Sequence, residues 1–218
     1  MNQFERNKAI LAKYIPEQST DIIARWIVQY DFKLKIKRSR STKLGDYRPP
    51  VRGMNHQITI NHDLNRYAFL ITLIHEVAHL VNWNKHQERV LPHGEEWKQE
   101  YRLLMDPFIK SSIFPEDITN ALRRYMHDPA ASSCSDISLT RVLKKHDLHN
   151  SHLVHLEEIP IQTLFDYNGR QFIKGNKVRT RFKCKEVLSN RFYLFNPIAE
   201  VTPLGEVTQA SYAEKTRI

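Results

Sequence analysis

Cysteine is almost missing from these 218 residues: only Cys134 and Cys184 occur, far apart in the chain. With no CxxC pair, neither a disulfide framework nor a cysteine-based zinc ribbon is indicated, and both thiols read as reduced packing groups. Long apolar runs are missing too. None approaches the roughly 18 residues that a membrane span needs. The opening stretch, MNQFERNKAILAKYIPEQST, mixes charges with polar groups instead of running from basic to apolar as a secretion signal does. The expectation is a cytoplasmic protein with no membrane partner. Acid is in deficit, with 24 Asp and Glu against 33 Lys and Arg, a formal charge of +9. That balance favours encounter with polyanions, nucleic acid first. What is present, 41% hydrophobic and 26% charged residues, is the composition of a folded chain with one large domain or two small ones.

Hydrophobic spacing divides the chain. Residues 4–14 and 20–31 carry helical patterns, the second with Ile22, Ile23, Trp26, Ile27 and Tyr30 on one face. The period then changes to two in FKLKIKR, where Phe32, Leu34 and Ile36 alternate with lysines as in a half-buried strand. A basic loop, SRSTKLGDYRPP, follows, then a short strand HQITIN at 56–61. Asp63 is placed to cap a helix over 64–83, and HGEEWKQEYRLLMDPF reads as the next helix. Pro115 precedes a further one, EDITNALRRYMH. After HDPAASSCSD the pattern turns to short strands separated by turn signals at Asn168-Gly169, Gly175-Asn176 and Ser189-Asn190. The expected fold class is α+β: a mainly helical domain with a small sheet over 1–130, a linker over 131–152, and a basic antiparallel β module over 153–218.

The most apolar segment, LITLIHEVAHLVNW at 70–83, is interrupted by His75, Glu76 and His79. A buried polar group without a partner is costly, so something must satisfy these three. Four residues apart on a helix, His75 and His79 share a face and are close enough to hold one ion. This is HExxH. Two neutral imidazoles bind Zn²⁺, and the intervening glutamate is the general base acting on a water acidified by the metal.

A catalytic zinc needs a third protein ligand. Downstream, His86, Glu88, His93, Glu95 and Glu96 compete. An extended motif with glycine three residues after the second histidine and a histidine three beyond it fails, because Asn82 and Lys85 stand there. His93 is the best placed. It precedes Gly94 at the mouth of the next helix, where the positive end of the helix dipole keeps an imidazole neutral.

The ordered segments RSRSTKLGDYRPP, HQITIN, LITLIHEVAHLVNW and HGEEWK resemble the SprT-like metallopeptidase domain, the group that includes the Spartan proteases, over about residues 15–127. The resemblance implies a minimal zincin fold, one zinc ion on His75, His79 and His93, Glu76 as catalytic base, and proteolysis of proteins attached to DNA. Many members carry a four-cysteine zinc ribbon after the protease domain, and this chain lacks it. A mixed site joining His127 or His146 to Cys134 and Cys184 is the one arrangement left for a second zinc.

Two clusters of cations bear on partners. In KVRTRFKCKEV, side-chain alternation would put Lys177, Arg179, Arg181, Lys183 and Lys185 on one face. Between residues 169 and 191 there are eight basic residues and one acid, Glu186. Such a face can track a phosphate backbone of DNA, with Phe192, Tyr193 and Phe195 stacking bases where exposed. The plain alternative is a solvated strand whose lysines discourage edge-to-edge pairing. Lys33, Lys35, Lys37, Arg38, Arg40 and Lys43 form the second cluster. The expected function is therefore a zinc metalloendopeptidase acting on protein substrates, DNA-associated ones included. The alternative is a nucleic-acid-binding protein whose zinc is structural and which has little or no peptidase activity.

Overall fold

The structure, a computed structural model, describes residues 2–40, 43–51, 53–130, 136–147 and 153–206. The fold is α+β, and it divides into two compact units, Met1–Leu148 and His149–Ile218. Among the described residues no helix is long and apolar enough to cross a membrane.

The first unit opens with two helices, α1 (Gln3–Leu11) and α2 (Thr20–Gln29). Ile23, Ala24 and Ile27 of α2 are buried, as the 3.6-residue spacing requires. A three-stranded sheet follows, built from β1 (Phe32–Lys37), β2 (Gly45–Arg48) and β3 (His56–Asn61) in the order β1-β3-β2. β1 runs parallel to β3, and β2 runs antiparallel to it. β2 lies inside the stretch expected to be a loop. Four residues, GDYR, are too short to display an alternation, and the strand exists because β3 offers it a partner.

The long helix α3 (Arg66–His86) is the centre of this unit. Residues 68–78 are buried without interruption, so the helix is enclosed on all sides instead of along one stripe. Its cap is Asn65, not Asp63. The Asn65 carboxamide oxygen accepts the backbone N–H of Tyr67 and Ala68, while its Nδ2 donates to the Leu143 carbonyl at 2.8 Å. Leu143 belongs to α6 (Ile137–Lys144), which lies within the segment expected as a linker and is tied in this way to the start of α3. Between them come α4 (Glu95–Lys110) and α5 (Glu116–Tyr125), with Pro115 directly before α5. One continuous core runs from Leu11 to Leu143.

The second unit is a seven-stranded antiparallel sheet with the order β4-β10-β5-β6-β8-β7, and β9 pairs with β8 as well. The strands are β4 (Val154–His155), β5 (Thr163–Tyr167), β6 (Arg170–Ile173), β7 (Lys177–Val178), β8 (Arg181–Glu186), β9 (Phe192–Phe195) and β10 (Glu200–Glu206). Phe165, Phe172, Cys184, Phe195 and Val201 belong to its core. The basic run is not one strand. It folds back on itself at Arg179, which takes a left-handed φ of 55°, so Lys177 pairs with Phe182 and Val178 with Arg181. Directly opposed residues share a face. Lys177 therefore lies on the Phe182 side, Arg179 sits in the turn, and only Arg181, Lys183 and Lys185 line up together. Gly175 marks where β6 ends, since a Cβ there would sit 2.2 Å from the Lys183 carbonyl oxygen. Cys184 is a buried free thiol, while Cys134 lies outside the described residues. No group of potential metal ligands among the described residues includes Cys184, His127 or His146, and His146 is instead 3.2 Å from the Asp117 carboxylate.

Candidate metal centre

His75 and His79 project from one face of α3 because four residues make about one helical turn. The third imidazole arrives from a different element. Gly94 caps α4 in an extended conformation, and His93 just before it turns back toward α3. One ring nitrogen from each of His75, His79 and His93 lies within 4.8 Å of the others. The competing residues do not join them. Glu95 is exposed and faces Lys98 at 3.2 Å, and among the described residues no group of potential metal ligands contains His86, Glu88 or Glu96.

Trp97, one turn into α4, is the wall behind all three rings. It is fully buried, with its ring centroid 4.7 Å from His75, 5.2 Å from His79 and 4.8 Å from His93. Tyr101 continues the wall one turn further on, 5.0 Å from Trp97. On the other side the Tyr47 ring of β2 lies parallel to His79 at 6.4 Å, and its hydroxyl is 2.9 Å from His56 Nδ1. Of these, Trp97 and Tyr101 are legible in sequence only as apolar positions of a helix. Tyr47 falls in the stretch expected to be a loop. Its one signal in the sequence is the GDY triplet just ahead of the strand that leads into the histidine helix.

The residues fit a zinc ion on three counts. Burial pushes the His75 imidazole down to about 3 and that of His79 to about 2, with each ring's histidine neighbours adding to the effect, and burial lowers His93 as well. All three are then neutral at pH 7, the form that ligates. His93 Nε2 is buried with no hydrogen-bond partner. The Nε2 atoms of His75 and His79 are 3.3 Å apart, and two nitrogens bound to one tetrahedral zinc at 2.0–2.1 Å stand about 3.4 Å from each other.

Glu76, one position on from His75, packs against β2. A Cβ on Gly45 would lie 2.5 Å from its Oε1, so only glycine lets the strand backbone come this close. Burial raises the Glu76 carboxyl to about 8 and the nearby Asp46 charge adds to this, while the Tyr47 backbone N–H, Lys43 and Arg40 pull in the opposite direction. A carboxyl poised near neutrality beside three neutral imidazoles is equipped to take a proton and return it.

The sequence model of the SprT-like family matches residues 17–115. No curated protein and no solved structure matches the chain. The matched segment runs from just before α2 to the proline ahead of α5, and it holds the sheet, α3 and α4. This segment, which carries every residue of the candidate centre, is what the chain shares with the SprT-like family.

Proposed function

We propose that this protein is a zinc-dependent metallopeptidase, with His75, His79 and His93 holding the ion and Glu76 acting as general base. The observation that carries the reading is the convergence of three neutral imidazoles from two elements beside a buried carboxyl. A structural zinc closes its fourth position with a protein ligand, whereas a catalytic one leaves it open. Among the described residues no fourth ligand joins the three histidines, which favours catalysis over a purely structural ion. Zinc bound there supplies Lewis-acid polarisation of a peptide carbonyl and acidifies water at its open position.

The chain's own residues do the rest. Glu76 accepts the proton of the attacking water and delivers it to the leaving amide nitrogen. Its carboxyl, held at about 8 by burial, is drawn back toward the ionised base once the neighbouring histidines carry a cation. The Tyr47 backbone N–H and the close approach of Gly45 fix the carboxyl in place. Trp97 packs against all three rings and excludes water from behind them. Protein chains are the proposed substrates, those attached to DNA among them.

The test is zinc content and proteolysis measured together. Glu76→Gln keeps zinc at one equivalent per chain and loses roughly 10²–10⁴-fold in cleavage of a casein or DNA-bound protein substrate. His93→Ala loses both zinc and cleavage. A Glu76→Gln variant that cleaves as well as the parent removes the mechanism, and a His93→Ala variant that retains zinc removes the ligand set.

A further inference from the structure

The β8–β9 ribbon carries a feature that the metal centre does not use. Its register places Lys183 opposite Leu194 and Lys185 opposite Phe192, while Val178 stands opposite Arg181. Opposed residues share a face, so three cations and three apolar side chains form one continuous surface. That surface is turned to solvent: Phe192 is 58% exposed, Leu194 55% and Val178 46%. The opposite face, with Phe182, Cys184 and Phe195, accounts for this ribbon's share of the core. Phe192 and Leu194 are therefore surplus to folding, and exposing them costs solvation free energy unless they meet a partner.

Two of the three cations are equally unused. Elsewhere in the unit, Arg170 is held by Glu186 at 2.6 Å, and Lys174 is buried with its ammonium on the Ile159 carbonyl. Among the described residues no acid pairs with Arg181 or Lys183. The Lys183 ammonium instead lies 4.4 Å from the centroid of the Phe192 ring, so cation and π-face are interleaved and not segregated.

We infer that this face binds single-stranded nucleic acid, with Arg181, Lys183 and Lys185 tracking successive phosphates and Phe192 stacking a base. Duplex would engage the cations and leave the aromatic idle, because its bases are already stacked. An unpaired strand satisfies both, as phosphates and base faces alternate along it at the pitch of a strand's side chains. The inference is independent of the metal and of any peptidase activity, and it is tested by binding alone.

The experiment is fluorescence anisotropy of a labelled oligothymidylate of about 15 nucleotides with the full chain, across a salt titration. Duplex of equal length and vesicles of phosphatidylserine and phosphatidylcholine serve as the other arms. Three phosphate contacts give a log–log salt slope of about −2 on a single strand. Replacing Arg181 and Lys183 together by alanine weakens binding at least tenfold and flattens that slope to about −0.7. Phe192→Ala weakens binding about tenfold with the slope unchanged, which separates stacking from charge. Lys33→Ala with Lys35→Ala removes the same charge from β1 and changes affinity less than about twofold. All of these side chains are exposed or half-exposed, and circular dichroism verifies that each variant is folded. The inference is overturned if the folded parent fails to bind oligothymidylate at low salt, if duplex or vesicles bind more tightly, or if the β1 variant loses as much as the β8 variant.

Discussion

The two units handle polar side chains in opposite ways. In the first, His75 and Glu76 are each only 7% exposed in the middle of the helix that the whole core surrounds. In the second, Arg181, Lys183 and Phe192 lie on an outer face that the core does not need. A buried polar group must be explained by a partner or a task, because its cost is several kcal/mol. An exposed one costs almost nothing and explains itself. The chemistry of the first unit is therefore locked to its fold, while that of the second is laid over a fold that would stand without it.

The strongest way to break this contrast is at Trp97. If the centre and the core are one object, Trp97→Ala destabilises the protein by about 3–5 kcal/mol and lowers zinc affinity in the same variant, whereas Trp97→Phe preserves most of both. Urea unfolding with and without chelator measures the first quantity, and competition with a zinc indicator the second. A loss of stability with zinc affinity intact would mean that the three imidazoles are positioned without their common wall, so that site and core are separable after all.

That coupling also decides what is readable from the chain. HExxH is conspicuous because its polar residues interrupt an apolar helix, and the third histidine follows from the need for a ligand at a helix mouth. Both depend on local sequence and on a cost that any fold must meet. β2 is hidden because its four residues are a strand only in the presence of β3, and Gly45 acquires meaning only when Glu76 is set 2.5 Å from where its Cβ would be. α6 is hidden by its neighbours: small polar residues flank it, and its docking to Asn65 comes from 78 positions away. In the β unit the composition of KVRTRFKCKEV is plain but its geometry is not. A turn at Arg179 moves Lys177 to the other face, and one residue of register is enough to reverse every assignment in a strand.

A second prediction sharpens the contrast through pH. In protein stripped of metal, the Glu76 carboxyl titrates near 8 when folded and near 4.5 when unfolded. The folded state thus binds a proton that the unfolded state has lost, and the stability this contributes is present below pH 4.5 and disappears as pH rises through 8. His75 and His79 act with the opposite sign. Their folded values near 3 and 2 lie below the ordinary 6.5, so their contribution is complete above pH 6.5 and is lost as pH falls. Stability of the apo protein then peaks near pH 6.5 and declines by about 2 kcal/mol toward pH 8, one proton over that interval. Glu76→Gln removes the decline, steepens the acid limb between pH 4.5 and 6.5 where the two contributions oppose each other, and leaves it unchanged below pH 4.5. A wild-type profile that is flat from pH 6.5 to 8 would show the carboxyl to be solvated, and Glu76 would then belong with the exposed residues of the second unit.

The smallest expected effect is the one that completes the comparison. Replacing Arg181 and Lys183 together by alanine should change the unfolding free energy by less than about 1 kcal/mol. Surface substitutions away from packed or paired groups usually stay within about 0.5 kcal/mol. What the double substitution takes away is the exposed cation–π pair of Lys183 with Phe192, worth about 0.5–1 kcal/mol. Removing two like charges from a chain at +9 also relieves self-repulsion, which offsets part of that effect. Urea unfolding of the parent and the double variant at two salt concentrations separates these terms, since the repulsion is screened and the packing is not. If the variant loses about 2 kcal/mol or more at either salt, well beyond the usual surface range, these cations hold the sheet together, and the face they line is architecture before it is a binding surface.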